Sequence, residues 1–137
     1  MPLIDSAVTV ERSRLMAGVR TKHTNIEMTV RRLVHSLGYR YRLHKKGLPG
    51  TPDLIFASRR KVVFVHGCFW HHHRRCPKGK TPKTRHDFWA AKLSENVKRD
   101  RRVLRDLKAL GWQALVVWEC ELKDRNALAS GLRNFLG

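Results

Sequence analysis

One stretch of the chain, residues 61–76, concentrates side chains that can do chemistry. It begins with residues 62–65, a β-branched and aromatic run that is typical of a buried strand, and it breaks at Gly67. The nine residues after that glycine hold two thiols, three consecutive imidazoles and an aromatic pair, Phe69 and Trp70. A packed core does not require metal-binding and aromatic side chains at this density. The pattern therefore predicts a functional site at the end of a strand.

One set of these side chains suits a metal ion. The set consists of Cys68, His73, Cys76 and Cys120. Three thiolates and one imidazole complete a tetrahedral zinc site with no position left open, so such a zinc would be structural. The spacing does not decide which histidine of residues 71–73 is the ligand, and inert buried cysteines are the alternative. Three cysteines cannot all pair in disulfides, and a reducing compartment favours metal binding.

A second set suits the hydrolysis of a phosphodiester. Asp53 would hold a hard cation such as Mg²⁺, which places positive charge on the phosphate. His66 and His71 would transfer protons near neutral pH, with Glu27 orienting one imidazole. If the hairpin centres on residues 59–60, Asp53 lies directly opposite His66 on the neighbouring strand. A salt bridge at the strand end is the alternative reading of that pair.

The aromatic side chains have a separate use. The rings of Phe69, Trp70 and Trp89 could insert between bases, where each stacking contact contributes about 1 to 3 kcal/mol. For Trp70 the alternative is an ordinary core position, which would require Phe69 to face the opposite way.

The first helix is predicted from its ends. Thr24 and Glu27 have the spacing of a capping box, and Gly38 stands where a glycine ends a helix. Glu27 continues an apolar stripe at helical spacing, so it can cap the helix, point toward the site, or do both. Residues 39–43 then predict a short strand. In the rigid turn that follows, Pro52 is expected to keep Thr51 extended.

A long helix is predicted after the cluster. Thr84 and Asp87 again have capping-box spacing, and the helix should end near Gly111. Asn96 and Asp100 fall inside its apolar stripe, where unsatisfied polar groups each cost a few kcal/mol. A metal shell or a phosphate site would satisfy them, and hydrogen bonds to loop backbone are the alternative. A strand over 112–118 and a helix over 122–136 complete one α/β domain with a mixed central sheet flanked by helices.

The charge predicts a partner dense in phosphate, because the chain carries 29 Lys and Arg against 11 acids, a formal net charge of +18. A merely soluble basic protein is the alternative. Residues 1–23 form a basic arm, expected to contact DNA, ahead of a domain over 24–137. Met16 on this arm either wedges into a groove of DNA or lies in a short helix packed on the domain. No apolar run approaches a membrane span and the start lacks a signal peptide, so we expect a cytoplasmic protein with no membrane partner.

The chain resembles the very-short-patch repair (Vsr) endonucleases, bacterial enzymes of the restriction-endonuclease-like superfamily that nick DNA beside a T:G mismatch. The motifs that carry the resemblance are residues 48–53, 66–71, 84–89, 96–100 and 117–120. The resemblance extends from about Arg12 to Leu122. It implies a Mg²⁺-dependent endonuclease with a structural Zn²⁺, which cuts one strand 5′ of the thymine left by deamination of 5-methylcytosine. It also implies a monomer that acts on duplex DNA, with mismatch-repair proteins as candidate helpers.

The resemblance also implies a role for each matching residue. Asp53 would bind Mg²⁺, His66 and His71 would be catalytic, and Glu27 would partner a histidine. Val65 stands where family members can carry threonine, so a metal ligand there could only be its backbone carbonyl. Further implied roles are zinc ligation by Cys68, His73, Cys76 and Cys120, contact with the metal's waters by Asn96 and Asp100, intercalation by Phe69, Trp70 and Trp89, wedging by Met16 and a groove contact by Lys92.

Three other functions stay open. A restriction enzyme of the same fold would cut perfectly paired DNA in both strands. A noncatalytic, zinc-stabilised DNA-binding module would need no Mg²⁺. A basic scaffold for RNA would not gain affinity from a mismatch.

Overall fold

The structure is a computed structural model that describes residues 25–43 and 47–137. The predicted basic arm, with the cap at Thr24 and the wedge at Met16, lies outside these residues, and the division into arm and domain stays a prediction. The elements in chain order are α1 (25–36), β1 (Leu54–Phe56), β2 (Lys61–His66), α2 (His86–Ala109), β3 (Gln113–Trp118) and α3 (Arg125–Leu136), with 3-10 turns at Ala57–Arg59, Pro77–Gly79 and Glu119–Lys123. None of the helices in this part of the chain is long and apolar enough to cross a lipid bilayer.

The three strands form a mixed sheet in the order β1-β2-β3, which confirms the predicted fold class. β2 runs antiparallel to β1 and parallel to β3. Parallel neighbours need a crossover connection, and α2 lies in it. β2 is the central strand, and residues 62–66 are all buried. This explains why its sequence is a continuous apolar run rather than an alternating one.

Helices cover both faces of the sheet. On one face, Val30 and Val34 of α1 and Leu128 and Leu132 of α3 pack on Val63 and the other side chains that share its side of the sheet. On the opposite face, Leu107 of α2 and Trp112 pack on Val62, Phe64 and Ile55. The site described below lies on the α2 face.

The predicted register of the hairpin is wrong by two residues. Leu54 pairs with Val63, and continuing that register sets Asp53 across from Phe64 rather than His66. The register differs because the loop between β1 and β2 is a 3-10 turn at Ala57–Arg59. Arg60 ends this turn in the left-handed conformation, with φ 54°. Because side chains alternate between faces along a strand, an error of two residues preserves the face. Asp53 and His66 therefore still line one pocket.

Two local predictions also differ from the structure. The strand predicted over 39–43 is reduced to an isolated bridge between Arg42 and Ile55. Thr51 has φ 45° instead of an extended conformation, because the chain turns sharply at this point. The preceding residue, Gly50, has φ 76° and packs so close to the Val103 side chain that a Cβ on residue 50 would overlap it.

Helix ends were predicted better at the carboxyl side than at the amino side. α2 begins at His86 after Arg85, which is left-handed and gives no side-chain cap, so Thr84 is not the cap that the sequence predicted. The other end of α2 lies two residues before Gly111, which has φ 85°, and the end of α1 lies two residues before Gly38, which has φ 97°. Both glycines adopt the left-handed conformation that terminates helices.

Candidate active site and metal centre

A pocket of about 340 Å³ opens on the α2 face, where β2 ends. It brings together Asp53 from the start of β1, His66 from the end of β2, His71 from the following loop, and Arg99 and Asp100 from α2. The predicted acid and both predicted catalytic imidazoles are thus neighbours, although they come from three separate elements.

Asp53 is held by the backbone of β2. Its Oδ2 accepts a hydrogen bond from the amide of Val65 at 2.6 Å, and its own amide donates to the carbonyl of Val63 at 3.1 Å. Burial raises the pKa of Asp53 to about 7, and a hydrogen bond with Glu27 also raises it. The Val65 amide and the guanidinium of Arg31 act in the opposite direction. Near neutral pH Asp53 therefore keeps part of its proton, which a bound cation would displace.

The raised pKa of Asp53 predicts how stability depends on pH when no divalent cation is present. Between about pH 4 and pH 7 the folded protein retains a proton that the unfolded chain releases, so this carboxyl costs more stability as the pH rises. The asparagine side chain does not titrate, so the Asp53→Asn variant lacks this pH-dependent loss of stability. We expect the variant to unfold at a higher temperature than the wild type at pH 8, and this advantage to shrink toward pH 4. Thermal unfolding of both proteins in chelator across this range measures the difference, and a gap that does not change with pH would contradict the assignment.

The backbone carbonyl of Val65 is well placed for a cation beside Asp53. In a strand, the amide and carbonyl of one residue point toward the same neighbour. Since the Val65 amide points to Asp53, its carbonyl faces the same side, beyond Leu54, where the pairing of β1 with β2 ends. The predicted oxygen ligands for Mg²⁺, one carboxylate and one carbonyl, thus lie on one edge of β2.

The two imidazoles stack on each other. The rings of His66 and His71 are 3.6 Å apart at 4° between planes, and Nδ1 of His71 lies 2.7 Å from Oδ2 of Asp100. A pair of imidazoles can supply an acid and a base to one substrate. The ligand atoms of His66, His71 and Asp100 also lie within 4.8 Å of one another, so they too could hold a metal ion.

The acid beside His71 is Asp100, whereas the sequence predicted that Glu27 would orient an imidazole. The described contacts of Glu27 are an ion pair with Arg31, one turn along α1, and the hydrogen bond with Asp53. Glu27 does point toward the site, as its position on the apolar stripe suggested. Its pairing with a histidine stays a prediction.

Asn96 and Asp100 hold two consecutive loop residues. Nδ2 of Asn96 donates to the carbonyl of Trp70 at 2.9 Å, while Asp100 pairs with His71. Residues four apart on a helix lie on the same face, so α2 fixes Trp70 and His71 together. The Asn96 side chain is therefore satisfied by a hydrogen bond to loop backbone, which is the alternative that the sequence left open.

The aromatic residues form a cluster next to the pocket. Trp89 is 1 % exposed, with its ring edge-on to Phe69 at 5.4 Å and inclined to Trp70 at 6.2 Å. In this conformation Trp89 supports the other two rings. Its insertion between bases stays a prediction. Phe69 and Trp70 are partly exposed. Phe88, which sequence reasoning missed, packs against Trp89 at 5.3 Å, and Lys92 lies half-buried one turn further along α2.

The candidate metal centre lies where the two parallel strands end. His66 pairs with Trp118, so the loop after β2 and the turn after β3 leave the sheet at the same edge. This brings together all four predicted ligands, Cys68, His73, Cys76 and Cys120, whose ligand atoms lie within 4.8 Å of one another.

The distances decide which histidine joins the cysteines. Nδ1 of His73 lies 3.6 Å from Sγ of Cys68 and 3.5 Å from Sγ of Cys120. Tetrahedral zinc with ordinary Zn–S and Zn–N bonds would separate the sulfur and nitrogen ligands by about 3.6 Å, so the residues fit this ion. Burial raises the pKa of Cys68 to about 12, so a metal must displace a proton to bind there.

Trp118 lies between the metal centre and the pocket. Its ring stacks on that of His73 at 4.0 Å and 6°, and it meets the ring of His66 edge-on at 5.2 Å. Sequence reasoning gave Trp118 no role beyond ending a strand. The contact could not be found without the register of β2 and β3.

The chain is similar in sequence to several known proteins. The family model described as "DNA mismatch endonuclease Vsr" matches residues 4–78. The chain is 56 % identical over 127 residues to "Type II nicking enzyme V.XorIIP" of Xanthomonas oryzae pv. oryzae, covering 92 % of this chain and 93 % of that protein. It is 44 % identical over 117 residues to "DNA mismatch endonuclease Vsr" of Escherichia coli, covering 85 % and 74 %. It is 40 % identical over 123 residues to "Type II nicking enzyme V.NmeAIP" of Neisseria meningitidis, covering 90 % and 87 %.

Proposed function

Because the chain belongs to the Vsr family and is a DNA endonuclease, we propose that it nicks one strand of duplex DNA on the 5′ side of the thymine in a T:G mismatch. The activity would serve the repair of deaminated 5-methylcytosine. We place it in the bacterial cytoplasm and expect a monomer to act, with mismatch-repair proteins as candidate helpers.

One observation carries the proposal: the pocket gathers Asp53, His66 and His71, and the ring pair Phe69 and Trp70 immediately precedes His71 in the same loop. A nuclease that recognises distorted DNA needs both parts close together, since the strand must be cut next to the step that is opened. Opening a mismatched step costs less than opening a paired one, so rings that must be inserted select for mismatches by a few kcal/mol.

Within the pocket, Asp53 and the Val65 carbonyl would hold Mg²⁺, which supplies positive charge to the scissile phosphate. One imidazole of the stacked pair takes the proton of the attacking water, and the other donates one to the leaving oxygen or binds the phosphate. Asp100 fixes the orientation of His71 through Nδ1 and leaves Nε2 for this work. Cys68, His73, Cys76 and Cys120 would hold a structural Zn²⁺.

A second candidate function is nicking at a particular sequence in perfectly paired DNA. It is favoured by two relatives, at 56 % and 40 % identity, that are named type II nicking enzymes. The active-site chemistry would be the same, and only the substrate would differ.

A strand-resolved digest separates the two functions. Duplexes that differ only in T:G against T:A at one position, with each strand labelled separately, are incubated with and without Mg²⁺. We expect a single cut in the thymine strand of the T:G duplex, dependent on Mg²⁺. Equal cutting of the matched duplex would support sequence-specific nicking instead, and binding without any cutting would refute both.

Replacing Trp70 with Ala tests the role of the rings. Loss of one stacking contact should slow nicking of T:G duplex by roughly 10- to 100-fold, while nonspecific binding, which depends on charge, stays nearly the same. Trp70→Phe keeps a planar ring and should lose only a few-fold. Single-turnover rates and equilibrium binding of both variants measure this, and an unchanged rate in the Ala variant would argue against intercalation.

A further inference from the structure

Arg99 lies in the active-site pocket and has no part in the roles assigned so far. It lines the pocket together with Asp53, His66, His71 and Asp100. Among the lining residues, all of which the structure describes, Arg99 is the one whose charge is permanently positive. Its side chain is exposed to solvent, so its function there is not packing.

The charges around the pocket create a need for such a group. Asp53 and Asp100 line the pocket, and Glu27 contacts Asp53 from α1. An incoming phosphodiester would bring a further negative charge to this cluster of carboxylates. A Mg²⁺ would offset part of the repulsion on the side of Asp53. Asp100 lies on the other wall, one residue after Arg99 on α2.

The guanidinium of Arg99 is oriented but not neutralised. Nη2 donates to Oδ1 of Asn96 at 3.2 Å, and Asn96 in turn donates to the carbonyl of Trp70. Among the described residues, no carboxylate lies within ion-pair distance of Arg99, in contrast to Arg31, which is paired with Glu27. One hydrogen bond thus sets the direction of a planar donor group whose remaining N–H groups are available to a ligand.

We propose that Arg99 binds a non-bridging oxygen of the phosphodiester that is cut, and stabilises the charge that builds up there during the reaction. Hydrogen-bond donors that are already oriented toward the position where charge develops stabilise the transition state far more than exposed contacts do, because they need no rearrangement at the moment of reaction. The link through Asn96 to Trp70 fixes this donor to the same loop that carries the intercalating ring. The proposal rests on the endonuclease activity above but not on its mismatch selectivity.

The test compares Arg99→Ala with Arg101→Ala. Both residues are exposed on α2 and carry the same charge, but Arg101 lies about 200° around the helix from Arg99 and does not line the pocket. Single-turnover nicking at saturating enzyme is measured on whichever duplex the wild type cuts, together with binding to that duplex. We expect Arg99→Ala to lower the rate by roughly 30- to 300-fold with affinity changed by about threefold at most. Arg101→Ala should keep the wild-type rate.

Chemical rescue separates phosphate binding from a structural effect. Added guanidinium should restore part of the rate of Arg99→Ala relative to sodium at equal ionic strength, and should not affect Arg101→Ala. Equal rates in the two variants, or a loss in Arg99→Ala that appears only in affinity or resists rescue, would overturn the proposal. If the wild type cuts only matched DNA, the mismatch proposal fails while this comparison still stands.

Discussion

Replacing Asp53 with Asn should lower the rate of nicking by at least about a thousandfold while DNA binding is retained, because the neutral amide is a poor ligand for a hard cation. The fold should not suffer. The amide of Val65, which donates to the Asp53 carboxylate at 2.6 Å, can donate equally to the side-chain oxygen of Asn. Removing a negative charge from the pocket should, if anything, tighten the binding of DNA.

The measurement is single-turnover nicking over a Mg²⁺ titration, with binding to the same duplex followed separately. Asp106→Asn is the matched control, since Asp106 is exposed on α2 and does not line the pocket. The control should keep wild-type activity. If Asp53→Asn retained more than about a tenth of the rate at any Mg²⁺ concentration, Asp53 could not be the residue that holds the catalytic cation.

Features of the fold that depend on local signals could be predicted from the sequence. β2 was recognisable because a strand buried on both faces must be apolar throughout, and residues 62–66 are all buried. The carboxyl ends of α1 and α2 were recognisable because Gly38 and Gly111 adopt a conformation that glycine favours. The errors in the turns fall where residues other than glycine adopt this left-handed conformation. Thr51, Arg60 and Arg85 all have positive φ, and nothing in their side chains indicates a left-handed turn.

The site was predicted as a set of residues rather than as a set of contacts. Ligand types near strand ends marked out the metal centre, but spacing could not choose between His71, His72 and His73, because the choice depends on how the loop folds back on Cys120. The hydrogen bond of His71 with Asp100 likewise depends on how α2 packs against that loop. Arg99 carries no distinguishing signal in the sequence, since only the pocket separates it from its exposed basic neighbours.

Loss of the metal should have the largest effect on stability. The four ligands join the loop after β2 to the turn after β3, so a bound zinc would close a loop that contains all of α2. Replacing His73 with Ala should lower zinc affinity by at least about 100-fold, since even partners that only orient a ligand are worth 10- to 100-fold. The unfolding temperature should fall by about 10 °C or more. Nicking should fall as well, because Trp118 stacks on His73 and contacts His66.

His72→Ala is the matched control for this loss. His72 is adjacent in sequence but is not among the residues that gather at the metal centre. The control should keep its zinc and its unfolding temperature within a few degrees of the wild type. Metal content of the purified proteins and thermal unfolding with and without chelator give the answer. Loss of zinc from His72→Ala but not from His73→Ala would reverse the assignment. Absence of zinc from the wild type would mean that Cys68, Cys76 and Cys120 are inert thiols, and that α2 is held in place by packing alone.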